Sequence, residues 1–304
     1  LLSLEQVLEF SMRLDGQEQS SNVEDRRGQR GAAALGGGGI LVIIVMLVMK
    51  FMGASPEAQQ MAAAMAKKAA EAQANRQEEP AGKGVDDEAK VFVSQILGST
   101  EKIWTDLFRT QVDGGSYTPP KLILFQDAVS SGCGNASADM GPFYCPADQK
   151  VYLDPHFFTE LAKRHKASGD FAQAYVIAHE VAHHVQNLVG FSDRVNEVRQ
   201  RGDELQSNQM SVRLELQADY LAGVWAHHAQ RKYNILEEGD IEEGINAANR
   251  IGDDTLQEES MGYTVPERYT HGTSAQRARW FKKGLQSGSL EGCEELFKVA
   301  YSKL

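Results

Sequence analysis

Apolar residues recur at helical spacing over much of this chain's C-terminal two-thirds. Within Asp86–Thr110 the positions Val91, Ile96, Ile103, Trp104, Leu107 and Phe108 predict an amphipathic helix, with Gly98 as a candidate break. Two short apolar runs, Lys121–Gln126 behind Pro119-Pro120 and Lys150–Asp154, predict buried strands. Helical patterning returns at Pro155–Ser168 and pauses at Gly169-Asp170. It resumes in the apolar stretch Ala174–Ala178, which continues to Val185. Further helices are expected over Asn208–Gln230, over Asp240–Arg250 with Asp240 as N-cap, and over residues 274–286, which carry Trp280 and Phe281. The pattern predicts a mainly helical α+β domain with a small β-sheet and no internal repeat.

Upstream the pattern changes. Ala32–Met49 is a run of 18 uncharged residues, close to the minimum that crosses a bilayer as a helix. Arg26, Arg27 and Arg30 precede it and only Lys50 follows closely, so the expectation is a retained single-pass anchor with a cytoplasmic N-terminus. A cleaved signal peptide is the rival, but Gly53-Ala54-Ser55 is a poor cleavage site. The expected organisation is a cytoplasmic tail over 1–31, a transmembrane helix over 32–52, a stalk over 53–84 rich in Ala, Gln, Glu and Lys, and a folded domain over 85–304. The folded domain then lies outside the cytoplasm. Translation is expected to begin at Met12, with residues 1–11 outside the protein.

Charge and cysteine usage refine this picture. A formal charge of −11 argues against a nucleic-acid partner, which needs a basic face. Cys133 and Cys145 bracket a glycine-rich segment, and outside the cytoplasm they are expected to form a disulfide. Two buried thiols are the alternative. Cys293 is left over, and with no CxxC pair a zinc ribbon is not expected.

The chemistry concentrates in His179-Glu-Val-Ala-His183. Histidines at i and i+4 share one helix face and can hold one metal ion, with Glu180 beside it as general base. The motif is short enough to arise by chance, so its surroundings decide. A catalytic zinc needs a third protein ligand. The position six residues past His183 is Val189, which excludes the third histidine of a metzincin. Glu215 and Asp219, at i and i+4 in an otherwise apolar helix, fill the gap: Glu215 as third ligand, Asp219 as acceptor for the free N–H of a ligand histidine. The bland alternative is a pair of surface carboxylates, but an acidic pair in so apolar a helix wants a partner.

The anchor, Ser20–Arg27, the Cys133–Cys145 loop, His179–Gln186 and Glu215–Asp219 together resemble the bacterial neutral zinc metallopeptidase family, from Met12 onward. That resemblance implies a zinc-dependent peptidase anchored in a bacterial inner membrane, with its catalytic domain on the extracytoplasmic side. A second resemblance is to gluzincins of the CAAX prenyl protease and HtpX type, in which a histidine is followed six residues later by an arginine. His271 and Arg277 have that spacing, although Gly272 stands where those proteins have proline. It implies a zincin-like, gluzincin-type fold; His271, with Arg277 or Tyr263, is the expected donor to the oxyanion, and Arg277 is also expected, with Asp219, among the residues behind the ligands.

The expected activity is therefore endopeptidase hydrolysis of a peptide or protein by zinc-activated water. Zinc sits on His179, His183 and Glu215, Glu180 is the base, and Val151–Asp154 is either an edge strand for an extended substrate or, equally, a central one. The competing readings are a catalytically silent zinc-fold scaffold and an amidase acting on cell wall. His184 is read as a packing residue or a support behind the ligands, and His156, His165, His227 and His228 as solvated or core residues.

Overall fold

The computed structural model describes residues 12–28 and 83–304. The expected anchor and nearly all of the expected stalk lie outside these residues. Among the described residues no helix is long and apolar enough to cross a membrane.

The first helix, α1 (Lys83–Gln111), buries Val93, Ile96, Ile103, Trp104 and Leu107. Gly98 does not break it. A Cβ there would lie 2.5 Å from the carbonyl oxygen of Glu18, so the glycine instead admits the N-terminal segment against the helix.

That segment corrects the expected division between a tail over 1–31 and a domain over 85–304. Residues 12–28 belong to the folded unit: Met12 is buried, the Arg13 amide donates to Ile235 at 2.8 Å, and the Ser20 amide donates to Ser94 at 2.9 Å. The Ser20 hydroxyl and Asn22 amide both donate to Glu101 on α1. Strand β1 (Val23–Asp25) then pairs in parallel with β2 (Lys121–Leu124), Val23 opposite Leu122. Arg26 and Arg27, read from the sequence as membrane-side signals, form ion pairs with Glu24 and Asp25 at 2.8 and 2.6 Å.

A hairpin of β3 (Ala128–Ser131) and β4 (Gly134–Ser137) forms a separate two-stranded sheet. Next come β5 (Phe143–Cys145) and β6 (Lys150–Leu153), and the main sheet has the order β1-β2-β6-β5. β6 is parallel to β2 and antiparallel to β5. The strand expected at an edge, Val151–Asp154, is thus interior, and β5 is terminal. The Cys133–Cys145 disulfide forms, bolting the hairpin turn to β5.

Helices fill the rest: α2 (His156–Lys163), α3 (Asp170–Leu188), α4 (Phe191–Arg201), α5 (Glu204–Tyr233), α6 (Asp240–Arg250), α7 (Asp253–Met261) and α8 (Ser274–Ser287). Asp240 opens α6 as its first residue, with Gly239 at the cap position. The closest helix crossing is α5 on α8. A Cβ on Gly223 would sit 2.1 Å from the Phe281 carbonyl oxygen, and one on Gly284 would sit 1.9 Å from that of Tyr220. The two backbones touch there, and this contact fixes where α8 delivers Arg277.

Candidate metal centre

Helix α3 is apolar around most of its circumference, so it runs through the core and not over its surface. It starts where Gly169 turns the chain at φ 114°, with Asp170 in its first turn, complementing the helix dipole. Two turns on, His179 and His183 emerge from one face and meet Glu215 of α5. His179 Nε2 lies 3.2 Å from Glu215 Oε2, and His183 Nε2 lies 3.6 Å from the same oxygen.

The other ring nitrogens are held. His179 Nδ1 donates to Asp219 at 2.9 Å, and His183 Nδ1 donates to the Gln186 side-chain oxygen at 2.8 Å. Each bond fixes a proton on Nδ1 and turns Nε2 toward Glu215, so that Nε2 is the atom each ring offers to a metal. Asp219 is fully buried and also accepts from Tyr175 at 2.5 Å and from Arg277 at 2.9 and 3.0 Å. Burial by itself would raise the Asp219 pKa, but Arg277 and His179 override it and hold the carboxyl at about 2. Gln186, also fully buried, passes its amide protons to the Leu214 carbonyl and to Gln217.

The cluster forms part of the wall of a cleft of about 570 Å³ that also exposes Glu180, His271, Phe143 and Tyr144. Its size suits a few side chains of a ligand, within the ~300–1,000 Å³ common for binding pockets. Among the described residues the Glu180 carboxyl has no hydrogen-bond partner. Burial raises its pKa, helped by the charge of Glu215 and opposed by His183, His179 and Arg277. His271 Nδ1 sits 3.1 Å from Asp253; burial disfavours its charge, yet Asp253 and Glu215 outweigh this and raise its pKa. Arg277 is spent inside the protein on Asp219, Tyr175 and the Ile251 carbonyl, and Tyr263 is exposed away from the cleft wall. Arg277 thus stands behind His179, holding the Asp219 that orients it.

Residues 12–296 match a family model described as "putative neutral zinc metallopeptidase". The chain belongs to this family. The uncharacterized protein YpfJ of Escherichia coli (strain K12) is 48% identical over 213 residues, which is 70% of this chain and 73% of YpfJ. The uncharacterized protein Rv2575 of Mycobacterium tuberculosis (strain ATCC 25618 / H37Rv) is 41% identical over 206 residues, 64% of this chain and 67% of that protein. No solved structure matches the chain.

The donor set of this zinc metallopeptidase family member suits the metal in the family's name. Two imidazoles and a carboxylate are zinc ligands, and a tetrahedral ion with bonds of about 2.0–2.2 Å spaces its ligand atoms by roughly 3.3–3.6 Å. The 3.2 and 3.6 Å separations fall close to that spacing. The cluster also draws positive charge: against the effect of burial, Glu215 lifts His183 to about 9.

Sequence reading missed two parts of the site. Gln186 is one, although its place three residues after His183, on the same helix face, was a visible signal. The other is the clip made by His184, which accepts from Tyr144 of β5 at 3.0 Å and donates to the Thr118 carbonyl at 2.7 Å. Burial lowers the His184 pKa, in keeping with a neutral ring that both donates and accepts. It joins the terminal strand to the metal-site helix, a pairing no local pattern announces.

Proposed function

We propose that this protein is a zinc-dependent endopeptidase acting on peptide or protein substrates. The observation carrying this reading is the convergence of His179 Nε2, His183 Nε2 and Glu215 Oε2 in a cleft beside an unpaired Glu180. Zinc held by His179, His183 and Glu215 would supply Lewis acidity, acidifying water and polarising a carbonyl. Glu180 takes the proton of the attacking water and returns it to the leaving amine. His271, held by Asp253, donates to the developing oxyanion; such donors are worth roughly 3–4 kcal/mol in proteases. β5 replaces the expected Val151–Asp154 as the strand beside which an extended substrate lies, since Phe143 and Tyr144 reach the cleft.

For location we infer a membrane-associated, extracytoplasmic domain. Support comes from the Cys133–Cys145 disulfide and the apolar run before the domain. The expected cytoplasmic N-terminus is revised in this reading. Strand β1 hydrogen-bonds β2, so residues 12–28 and 83–304 share one compartment. An epitope placed at the N-terminus should be cleaved by external protease in spheroplasts, and protection there would restore a single crossing.

The activity is tested on the full chain, because a chain starting at Val85 lacks β1. Zinc-loaded protein is offered a mixed peptide library beside a Glu180→Gln control. Cuts absent from the control support the peptidase, whereas silence from both with zinc bound favours a scaffold.

A further inference from the structure

The wall of the metal cleft carries an arginine that the fold leaves without a counter-charge. Arg199 stands in the last turn of α4, is exposed, and lines the cleft. Acidic residues outnumber basic ones in this chain, 42 to 31, yet among the described residues no carboxylate pairs with Arg199. Its neighbours are used internally. Arg194 of the same helix pairs with Glu294 at 3.4 Å, and Arg213 of α5 donates to the Leu296 and Val299 carbonyls. Arg199 instead donates Nε and Nη2 to a single hydroxyl, Ser211 Oγ, at 3.2 and 2.7 Å. Ser211 is buried and donates in turn to the Ser207 carbonyl, so it is a fixed acceptor. This grip holds the guanidinium in place while leaving its charge unanswered.

Ser211 precedes Glu215 by four residues on α5, one turn and roughly 6 Å along the axis, so one rigid helix sets the spacing between this charge and the metal cluster. We propose that Arg199 anchors a carboxylate of the substrate, and that the protein selects peptides carrying one about two or three residues from the bond under attack. This deepens the peptidase reading and rests on it. An extended peptide advances about 3.3 Å per residue, so a group bound just beyond Ser211 falls at that remove from the metal. The planar guanidinium fork suits the two oxygens of a carboxylate, whether an Asp or Glu side chain or a C-terminus. Glu180 and Glu215 repel such a substrate, and Arg199 supplies the opposing attraction. Asn196 and Ser192, one and two turns before Arg199, line the same cleft and hold no side-chain partner, which leaves them free for peptide groups. Arg164, at the end of α2, also reaches the cleft, but nothing holds its guanidinium.

The test uses the full zinc-loaded chain bearing Glu180→Gln, so that binding is read without turnover. Short labelled peptides carry one Glu or Gln moved through the sequence, each ending in a free carboxylate or an amide. Fluorescence anisotropy should show about tenfold tighter binding of a carboxylate form than of its neutral counterpart. Loss of that gain on Glu→Gln assigns a side chain, and loss on amidation assigns the terminus. Added Arg199→Met should erase the preference, and Arg199→Glu should shift it to peptides carrying Lys. A residue that only braces α4 against Ser211 would lower the melting temperature on substitution and leave the charge preference intact, which would overturn the proposal. So would equal binding of charged and neutral peptides, a preference that moves with Arg164→Met, or one that survives Arg199→Met, as direct ligation of zinc would give. Cleavage by the wild-type chain is scored in parallel, and the Glu of cut peptides should lie about two or three residues from the new terminus. Charge-selective binding with no cuts counts against the peptidase and not against the anchor, and cuts without charge selection do the reverse.

Discussion

Arg277 grips Asp219 with two parallel contacts, Nε to Oδ2 at 2.9 Å and Nη2 to Oδ1 at 3.0 Å, and both side chains are sealed from solvent. Asp219 in turn holds the Nδ1 proton of His179. The orientation of a metal ligand therefore depends on α8, which is joined to α3 only through tertiary contact.

Removing the arginine leaves a buried carboxylate without its counter-charge. Arg277→Met is expected to cost about 3–5 kcal/mol of stability. Arg277→Lys keeps the charge but not the planar fork, and should fold while weakening zinc binding by about tenfold. Thermal melting and zinc titration on both variants separate the two effects.

Gln186 does for His183 what Asp219 does for His179, without a charge. Gln186→Leu removes the acceptor and frees the ring to turn or change tautomer. Zinc affinity should fall by roughly 10–100-fold. An unchanged affinity would show that the ring is fixed by packing alone.

The crossing of α5 and α8 leaves no room for a methyl group at Gly284. Gly284→Ala must push apart two backbones, not one flexible side chain, and is expected to destabilise by about 2–4 kcal/mol despite alanine's better helix propensity. Arg277 should shift with the helix, so zinc affinity should fall in the same variant. Chemical denaturation and zinc titration test both consequences.

Reduction of the Cys133–Cys145 bridge opens a loop of 12 residues' separation next to β5. A closure of this size contributes about 2–3 kcal/mol. Melting in dithiothreitol should fall accordingly, and in the peptidase reading the cleavage pattern should broaden as β5 loosens.

Asp240 and Glu243, at the head of α6, carry a pH signature. Burial, reinforced by the charge of Asp170 on α3, raises Asp240 to about 6 and Glu243 to about 7. Glu237 adds to the repulsion at Asp240 and Arg13 partly offsets it. Unfolded carboxyls titrate near 4, so between about pH 4 and 7 the folded state binds more protons than the unfolded one. Stability should therefore be greatest below that window and fall as pH rises through it. Melting curves across the range would show the fall, and Asp240→Asn with Glu243→Gln should flatten it.

The sequence by itself determined the helices, the two interior strands and the candidate ligands, because each depends on short-range spacing. His179 and His183 share a face through the helical period alone, and Glu215 and Asp219 do likewise. Tertiary structure decided how those faces meet. It made Val151–Asp154 an interior strand and β5 the terminal one, since strand order depends on pairings between distant segments that a local pattern does not encode. It turned Arg277 inward to Asp219, because the Gly223–Gly284 contact sets where α8 lies. It also drew residues 12–28 into the domain, where β1 finds its hydrogen bonds and Gly98 provides the space. Charge counting read Arg26 and Arg27 by their position before an apolar run, but they also pair with Glu24 and Asp25, and only the folded chain brings β1 to its place beside β2.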